Sequence, residues 1–390
     1  MRNGEFAFAR RTELPEHDGR GAPAVAHKRA GHLSTILSSG SADGESLMGG
    51  MSPNPTDEAR AGTATTAPLR RAGAPPVSVV IPIHSEERWE VFGSALQAVR
   101  QQDPAPASVI VSVDHNLPLL RRIGTAFPDV CTVENIFERG ASGTRNSGAL
   151  VADTPVLVFV DSDITVDEDW MARLLEPFSN PSVVGTGGFV TPFWSAGVPP
   201  WFPDEFGWVV GVSYRGMPTE TAPVRNVWSC NMAVRRDAFV AVGGFRVDFS
   251  KVGDSPKPED TDFCVRVTRA WGGGIWMFVP DAKVHHQIGR ERSGFPFFVQ
   301  RCFSEGMGKV ALAHLNGGRR DLWDESNYVR RAAPAGAIRY ARLAVYGRDG
   351  TSLRRCAAIL AGLAAAALGA VAGQARHLLS SVPTLRAREP

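Results

Sequence analysis

The chain has 390 residues, 43% of them hydrophobic, and a formal net charge of +2. A charge balance this close to neutral lacks the footprint of a nucleic-acid-binding protein, so no nucleic-acid partner is expected. Five scattered cysteines with no CxxC pair exclude a disulfide framework and a structural zinc site, and they read as free thiols of a reducing compartment.

Residues 1–75 are rich in Gly, Ala, Ser, Thr, Pro and charge, with sparse Val, Ile, Leu and Phe. Such a segment buries too little apolar surface to offset its ordering entropy and is predicted to be disordered. Met48 and Met51 lie inside it as alternative translation starts. The first thirty residues mix both charge signs and lack an apolar signal core, which points to a cytoplasmic body.

Order is expected from Val77. The run Val77 to Pro82 reads as a buried strand, Glu87 to Gln102 as a helix, and Ser108 to Val113 as a second strand ending at Asp114. A helix over Leu117 to Phe127, a strand over Val130 to Glu134, and a small-residue helix over Ser142 to Val151 follow. Thr154 to Val160 is the next strand, and it ends on Asp161-Ser162-Asp163. Alternation of this kind predicts a mostly parallel sheet flanked by helices, with ligands bound beyond the carboxyl ends of the strands. Pro82, Asp114 and Asp161 all fall at that edge.

Beyond Asp163 the pattern changes. Glu168 to Phe178 reads as helical, and residues 183–235 as short strands and long loops rich in Gly, Pro and Trp. A helix is expected over Asp260 to Trp271, then two strands near Ile275–Val279 and Ala282–His286. Residues 316–390 form a helical C-terminal extension, within which 356–373 are uncharged and apolar between Arg354-Arg355 and Arg376. That stretch barely reaches bilayer-spanning length and is mostly Ala and Gly, so contact with a membrane surface is favoured over crossing.

Two carboxylates two residues apart at the end of a buried strand call for a partner, and Mg²⁺ or Mn²⁺ suits their hard oxygens. Capping of a helix or turn is the bland alternative. A second acidic pair, Glu259-Asp260, stands at the start of a helix, where favouring the helix dipole would explain it equally. His285-His286 ends a strand-like run, and such a pair is more often structural. Arg290, Arg292 and Arg301 surround an aromatic cluster and suit either phosphate binding or an exposed charged face.

The ordered pieces Val79-Val80-Ile81-Pro82 with His84 and Glu86, Val113-Asp114, Arg139-Gly140 through Gly148, and Phe159 through Asp163 resemble the donor-binding half of family 2 glycosyltransferases of GT-A fold. The resemblance implies an α/β GT-A domain over 76–315, with a nucleotide-binding half at 76–163 and an acceptor half at 164–315. It implies transfer from a nucleoside-diphosphate sugar, UDP-linked, to an acceptor hydroxyl with inversion. Pro82, His84, Glu86, Asp114, Arg139, Arg145, Asp161 and Asp163 would then contact the nucleotide sugar. Asp161, Asp163 and His286 would hold the metal, and Asp260 would be the general base, with Asp262 left as a competitor. Trp228, Asn231 and Glu259 would shape the sugar and acceptor pocket. His84 and His115 depart from the family pattern, which usually has an asparagine and a carboxylate there. The tract Pro200 to Gly211 resembles a subgroup that includes glucosyl-dolichyl-phosphate glucuronosyltransferases, implying a polyprenyl-linked or other glycan acceptor at the inner face of a membrane. A nucleotidyltransferase, or a non-catalytic sugar-binding protein, is the alternative.

Overall fold

A computed structural model describes residues 74–250, 257–316, 328–347 and 350–380. The predicted disorder of 1–75 and the alternative starts Met48 and Met51 thus lie outside the described residues, save for positions 74 and 75.

The N-terminal half follows the expected alternation. Strands β1 (Val77–Ile83), β2 (Ser108–Val113), β3 (Cys131–Glu134) and β4 (Val156–Val160) are joined by helices α1 (Trp89–Arg100), α2 (Leu117–Ala126) and α3 (Ala141–Leu150). These strands pair in parallel in the order β3-β2-β1-β4. β1 and β4 are apolar at nearly every position because helices cover both faces of the sheet. Val79 and Ile81 enter one core layer and Val80 the other, as strand alternation dictates.

The second half is mixed. After β5 (Ile164–Val166) and α4 (Trp170–Leu175) come β6 (Val183–Trp194), β7 (Ala222–Val224) and β8 (Asn231–Arg235), then α5 (Arg236–Ala241), α6 (Glu259–Ala270) and β9 (Ile275–Ile288). The sheet continues β4-β8-β6-β9-β5, with β7 also on β9. The pairs β4/β8, β6/β8, β5/β9 and β7/β9 are antiparallel, and β6/β9 is parallel. The sheet is therefore parallel only in its first half. An antiparallel return can be made by a loop, which is how the Trp-rich tract between β6 and β8 is used.

Two expectations change here. The loop-rich reading of 183–235 missed β6, a strand of 12 residues. Its glycines are packing requirements: a Cβ at Gly185 would collide with the Trp276 ring, at Gly187 with Val227, and at Gly188 with the Ala282 carbonyl. The two strands expected at 275–279 and 282–286 are one bulged strand, β9. Gly188 pairs with Val279 and Phe189 with Lys283, so Pro280, Asp281 and Ala282 loop out of register.

Helix α7 (Phe295–Leu315) closes the 76–315 segment, and α8 (Ala333–Gly347) and α9 (Gly350–Ser380) follow in the C-terminal extension. α7 and α9 approach closely because Gly306 faces the Ala366 carbonyl and Gly369 faces the Phe303 carbonyl, with no room for a Cβ.

Candidate active site

The carboxyl ends of β1, β2 and β4 lie on one edge of the sheet, where their parallel register puts them. Asp161 and Asp163 leave β4 there. β5 then pairs antiparallel with β9, setting Ile164 opposite His286 and bringing His286 Nε2 to 3.4 Å from Asp163 Oδ2. Alternation along β9 turns His285 the other way, where it meets Asp167 Oδ1 at 2.6 Å. Arg88 Nη1 lies 2.6 Å from Asp163 Oδ2. Burial opposes ionisation of Asp163, but the His286 hydrogen bond and charge, with Arg88 and Arg292, outweigh it and hold the carboxyl well below its ordinary range.

Arg145 reaches from α3 between the two acidic pairs. Its Nη2 donates to Asp161 Oδ1 at 2.8 Å, and its Nη1 lies 3.9 Å from Glu259 Oε1. Burial disfavours its charge, but Asp161, Asp260 and Glu259 reverse the balance and raise its pKa. Glu259 and Asp260 open α6. The residue preceding the helix is Pro258, and no side chain caps it. Dipole stabilisation remains for both, but neither carboxylate is a cap.

Asp260 is a buried carboxylate on the cavity wall. Burial pushes its carboxyl up; Arg145 and hydrogen bonds from Ser229 pull it down, yet the net shift is upward. Its Oδ1 is buried with no hydrogen-bond partner. Asp262, the competitor, is 0% exposed and, although its Oδ1 likewise has no hydrogen-bond partner, it does not line the cavity. Its Oδ2 accepts from Arg246 Nε at 3.1 Å and Arg266 Nε at 2.8 Å, and Arg266 in turn donates to the Val242 and Gly244 carbonyls. Burial, with Asp161 and Asp260 nearby, pushes the Cys230 thiol well above its ordinary range, so it offers no thiolate.

Arg145, Asp161, Asp163, Glu259, Asp260 and His286 all line one cavity of about 1600 Å³, and Trp228 joins its wall. Asn231 does not. It is 1% exposed; its Oδ1 accepts from Trp170 Nε1, and its Nδ2 donates to the Phe189 and Ala282 carbonyls. The expected sugar contact is thus corrected: Asn231 fastens the β9 bulge to β6, and no polar atom of it is left facing a ligand.

The nucleotide-side residues share the edge but do not line this cavity. Asp114 Oδ1 accepts from Asn135 Nδ2 at 2.8 Å and its Oδ2 from the Gly140 N–H at 3.1 Å, so it braces the loop into α3. Glu86 pairs with Arg122, at a smaller depression that Arg88 also lines. His84 and Arg139 are exposed and Pro82 is half-buried. In the Trp-rich tract, Trp194 packs on Phe202 and Trp201 on Phe298, while Trp208 lines the cavity. Arg88 was missed by sequence reasoning, and its only signal was its place in the β1–α1 turn.

The model of the family described as glycosyl transferase family 2 matches residues 78–243. The glucosyl-dolichyl phosphate glucuronosyltransferase of Haloferax volcanii is 32% identical over 244 residues, covering 60% of this chain and 77% of that protein. The chain belongs to glycosyl transferase family 2. Its fold is accordingly that of the GT-A glycosyltransferases, and it is a transferase. A second family relative, the succinoglycan biosynthesis protein ExoM of Rhizobium meliloti, is 31% identical over 172 residues, 43% of this chain and 52% of that protein. Among solved structures, a mannosyltransferase from Pyrobaculum calidifontis in complex with GDP-Man and Mn²⁺ covers 80% of this chain and 89% of its own at 16% identity, with a TM-score of 0.49. The family assignment meets the expectations of fold class, enzyme class and subgroup resemblance stated from the sequence.

Proposed function

We propose that this family 2 enzyme is a metal-dependent, inverting glycosyltransferase. It moves a sugar from a nucleoside-diphosphate donor, UDP-linked, to a hydroxyl of a polyprenyl-linked or other glycan. The observation that carries this reading is the bridge made by Arg145, which joins the β4 carboxylates to the α6 acidic pair in one cavity. The name of the Haloferax relative supports the acceptor class.

Among the described residues, no three His, Cys, Asp or Glu side chains converge as a ready metal cage. Asp163 and His286 do converge, with Asp161 held beside them by Arg145. This donor set fits Mg²⁺ or Mn²⁺ where phosphates and water complete the shell. The cation, when bound, would offset charge on the departing diphosphate. The chain's own residues supply the rest. Arg88, Arg145 and Arg292 are placed to attract phosphate oxygens. Asp260 takes the proton from the acceptor hydroxyl as its oxygen attacks the anomeric carbon. Pro82, His84, Glu86, Asp114 and Arg139, at the same sheet edge, remain the proposed contacts for nucleoside and phosphate.

Screening nucleotide sugars with Mg²⁺ or Mn²⁺ is expected to yield nucleoside diphosphate. That release should vanish on chelation and in Asp163→Ala. Pyrophosphate as the product would instead establish the nucleotidyltransferase alternative, and turnover indifferent to chelator would remove the metal.

Membrane contact is proposed on α9. Residues 350–379 have a peak mean hydropathy of 2.1 and that window is only 28% buried. Leu353, Leu360, Leu368 and Val371 are exposed. Arg342, Arg354 and Arg376 of α8 and α9 are exposed, and the described residues from 328 onward contain no Asp or Glu. Apolar surface rimmed by arginine suits an anionic bilayer. The five cysteines are free, which agrees with a catalytic domain on the cytoplasmic side. The protein should sediment with phosphatidylserine-containing vesicles and be released in part by 0.5 M salt, a concentration at which screening is roughly complete within 5 Å. Failure to sediment with any vesicle would count against the membrane.

A further inference from the structure

The carboxylates of the cavity come from the sheet and α6, but part of its wall comes from the C-terminal extension. Tyr328 lines the cavity and opens a single π-turn, Tyr328–Ala332, that runs into α8. Such turns are rare and recur at functional sites. A buried ion pair fixes α8 to the Trp-rich tract: Arg339 Nη2 lies 3.0 Å from Oε1 of Glu205, which is 1% exposed. A Cβ at Gly336 would collide with that carboxylate, so the helix reaches Glu205 only because the side chain is missing. Arg355 of α9 adds a hydrogen bond from its Nε to the Pro200 carbonyl at 3.0 Å. The extension is thereby clamped on residues 200–205, and Tyr328 is held at the cavity.

Four rings follow one another along this wall. Trp228 and Tyr214 have centroids 6.5 Å apart, Tyr214 and Tyr328 5.5 Å, and Tyr328 and Trp208 6.4 Å. The last two pairs are close to perpendicular, at 87° and 86°. All four rings are half-buried, and all four line the cavity. The row starts at the chemistry, because Trp228 adjoins Ser229, whose hydrogen bonds reach Asp260. At its other end the ring donors are spent inside the protein. The Trp208 indole N–H donates to the Tyr328 hydroxyl at 3.2 Å, and that hydroxyl donates to the Glu205 carbonyl at 3.0 Å. These two rings are locked in orientation, and what they offer a ligand is ring surface.

Aromatic surface takes either a hydrocarbon chain or the C–H face of a sugar. The neighbouring polar groups decide between them. Asn226 and Lys257 are half-buried on the same wall. Asn226 Oδ1 accepts two hydrogen bonds from Arg225, at 2.9 and 2.8 Å, which fix its amide. A chain lying here would strip water from these groups and return no hydrogen bond, which is unfavourable. Sugar hydroxyls replace what is lost. We propose that Trp228, Tyr214, Tyr328 and Trp208 form a stacking platform for the sugar of the acceptor, and that the C-terminal extension is in this way part of the acceptor site. This rests on the glycan acceptor proposed above and assigns its sugar to named rings. A pyranose stacked at the Trp228 end would bring a hydroxyl toward Asp260.

The test is saturation-transfer NMR on the purified full-length protein, with neither donor nor metal. Methyl β-D-glucopyranoside, methyl β-D-galactopyranoside and methyl α-D-mannopyranoside are titrated as sugars, tetraethylene glycol as a ringless ether and geraniol as an apolar chain. At least one glycoside should bind saturably, with transfer strongest to the C–H protons of one ring face. Tetraethylene glycol should bind roughly fivefold more weakly, the scale of an aromatic contact. Tyr328→Leu keeps apolar bulk and removes the ring; it should weaken that glycoside about fivefold and leave geraniol unchanged. Trp208→Leu should do the same, and it keeps the test decisive if Tyr328→Leu fails to fold. No saturable glycoside, a glycoside affinity unchanged in either folded variant, or a loss confined to geraniol would overturn the platform. Because the titration contains no donor, it is judged apart from the proposed reaction. Glycoside binding without nucleoside diphosphate release would keep the platform and remove the reaction, and release without glycoside binding would do the reverse.

Discussion

Asp260→Asn is expected to lower kcat for sugar transfer by about 10²- to 10⁴-fold, the range for removing a general base. The amide keeps the shape and can still accept from Ser229, but it cannot take the acceptor proton. Donor KM should change little. Because burial raises the Asp260 pKa, the wild-type kcat/KM should fall on the acid side at a pH above that of an ordinary carboxylate, and Asp260→Asn should lose that limb. The stability consequence has the opposite sign. A carboxyl whose folded pKa is raised binds its proton more readily in the folded state, so stability is lost as pH rises through that window. At neutral pH the ionised, active form is the strained one. Asp260→Asn should therefore be inactive yet at least as stable to urea as wild type. Unchanged kcat would move the base elsewhere, and a large loss of stability would contradict the stated strain.

Arg145→Met is the second large effect, and it falls on stability first. Arg145 is 5% exposed and is the cation shared by Asp161, Glu259 and Asp260. Removing one partner of a buried ionic cluster costs about 3–5 kcal/mol, because it leaves the remaining charges uncompensated. Three carboxylates would then face one another in one cavity. Protonation relieves that repulsion, so the deficit should be largest at neutral pH and shrink on acidification. Urea unfolding at two pH values measures both. A loss below about 1 kcal/mol, the scale of a surface pair, would mean that the cluster is solvated and the bridge incidental.

Most of the first half of the fold was legible because β1 and β4 are buried on both faces and read as nearly unbroken apolar runs, separated by helices of ordinary length. β6 was not, because Gly185, Gly187 and Gly188 look like loop residues until the Trp276 ring, Val227 and the Ala282 carbonyl are seen filling the space where side chains would be. β9 was divided at Pro280 for a related reason: proline marks a break in a regular ladder but is accommodated in a bulge. In the site, Asp161, Asp163, Arg145, Glu259, Asp260 and His286 were singled out through the family resemblance, and all six line the cavity. Asn231 was taken from the resemblance as a sugar contact, whereas the chain buries it to 1% exposure with three hydrogen bonds to distant residues. Arg88 meets Asp163 across 75 positions, a relation that local pattern does not encode.

The β9 bulge settles a choice between two adjacent histidines. A strand keeps residues an even number of steps apart on one face, so an unbroken β9 would place His285 on the same side as Val279. Three residues looped out between Val279 and Lys283 invert that parity. His286 is thereby turned toward Asp163, and His285 toward Asp167. Which of the two histidines faces Asp163 is thus decided by an odd count of residues four to six positions before His286, locked in place by Asn231 and by the missing side chain of Gly188.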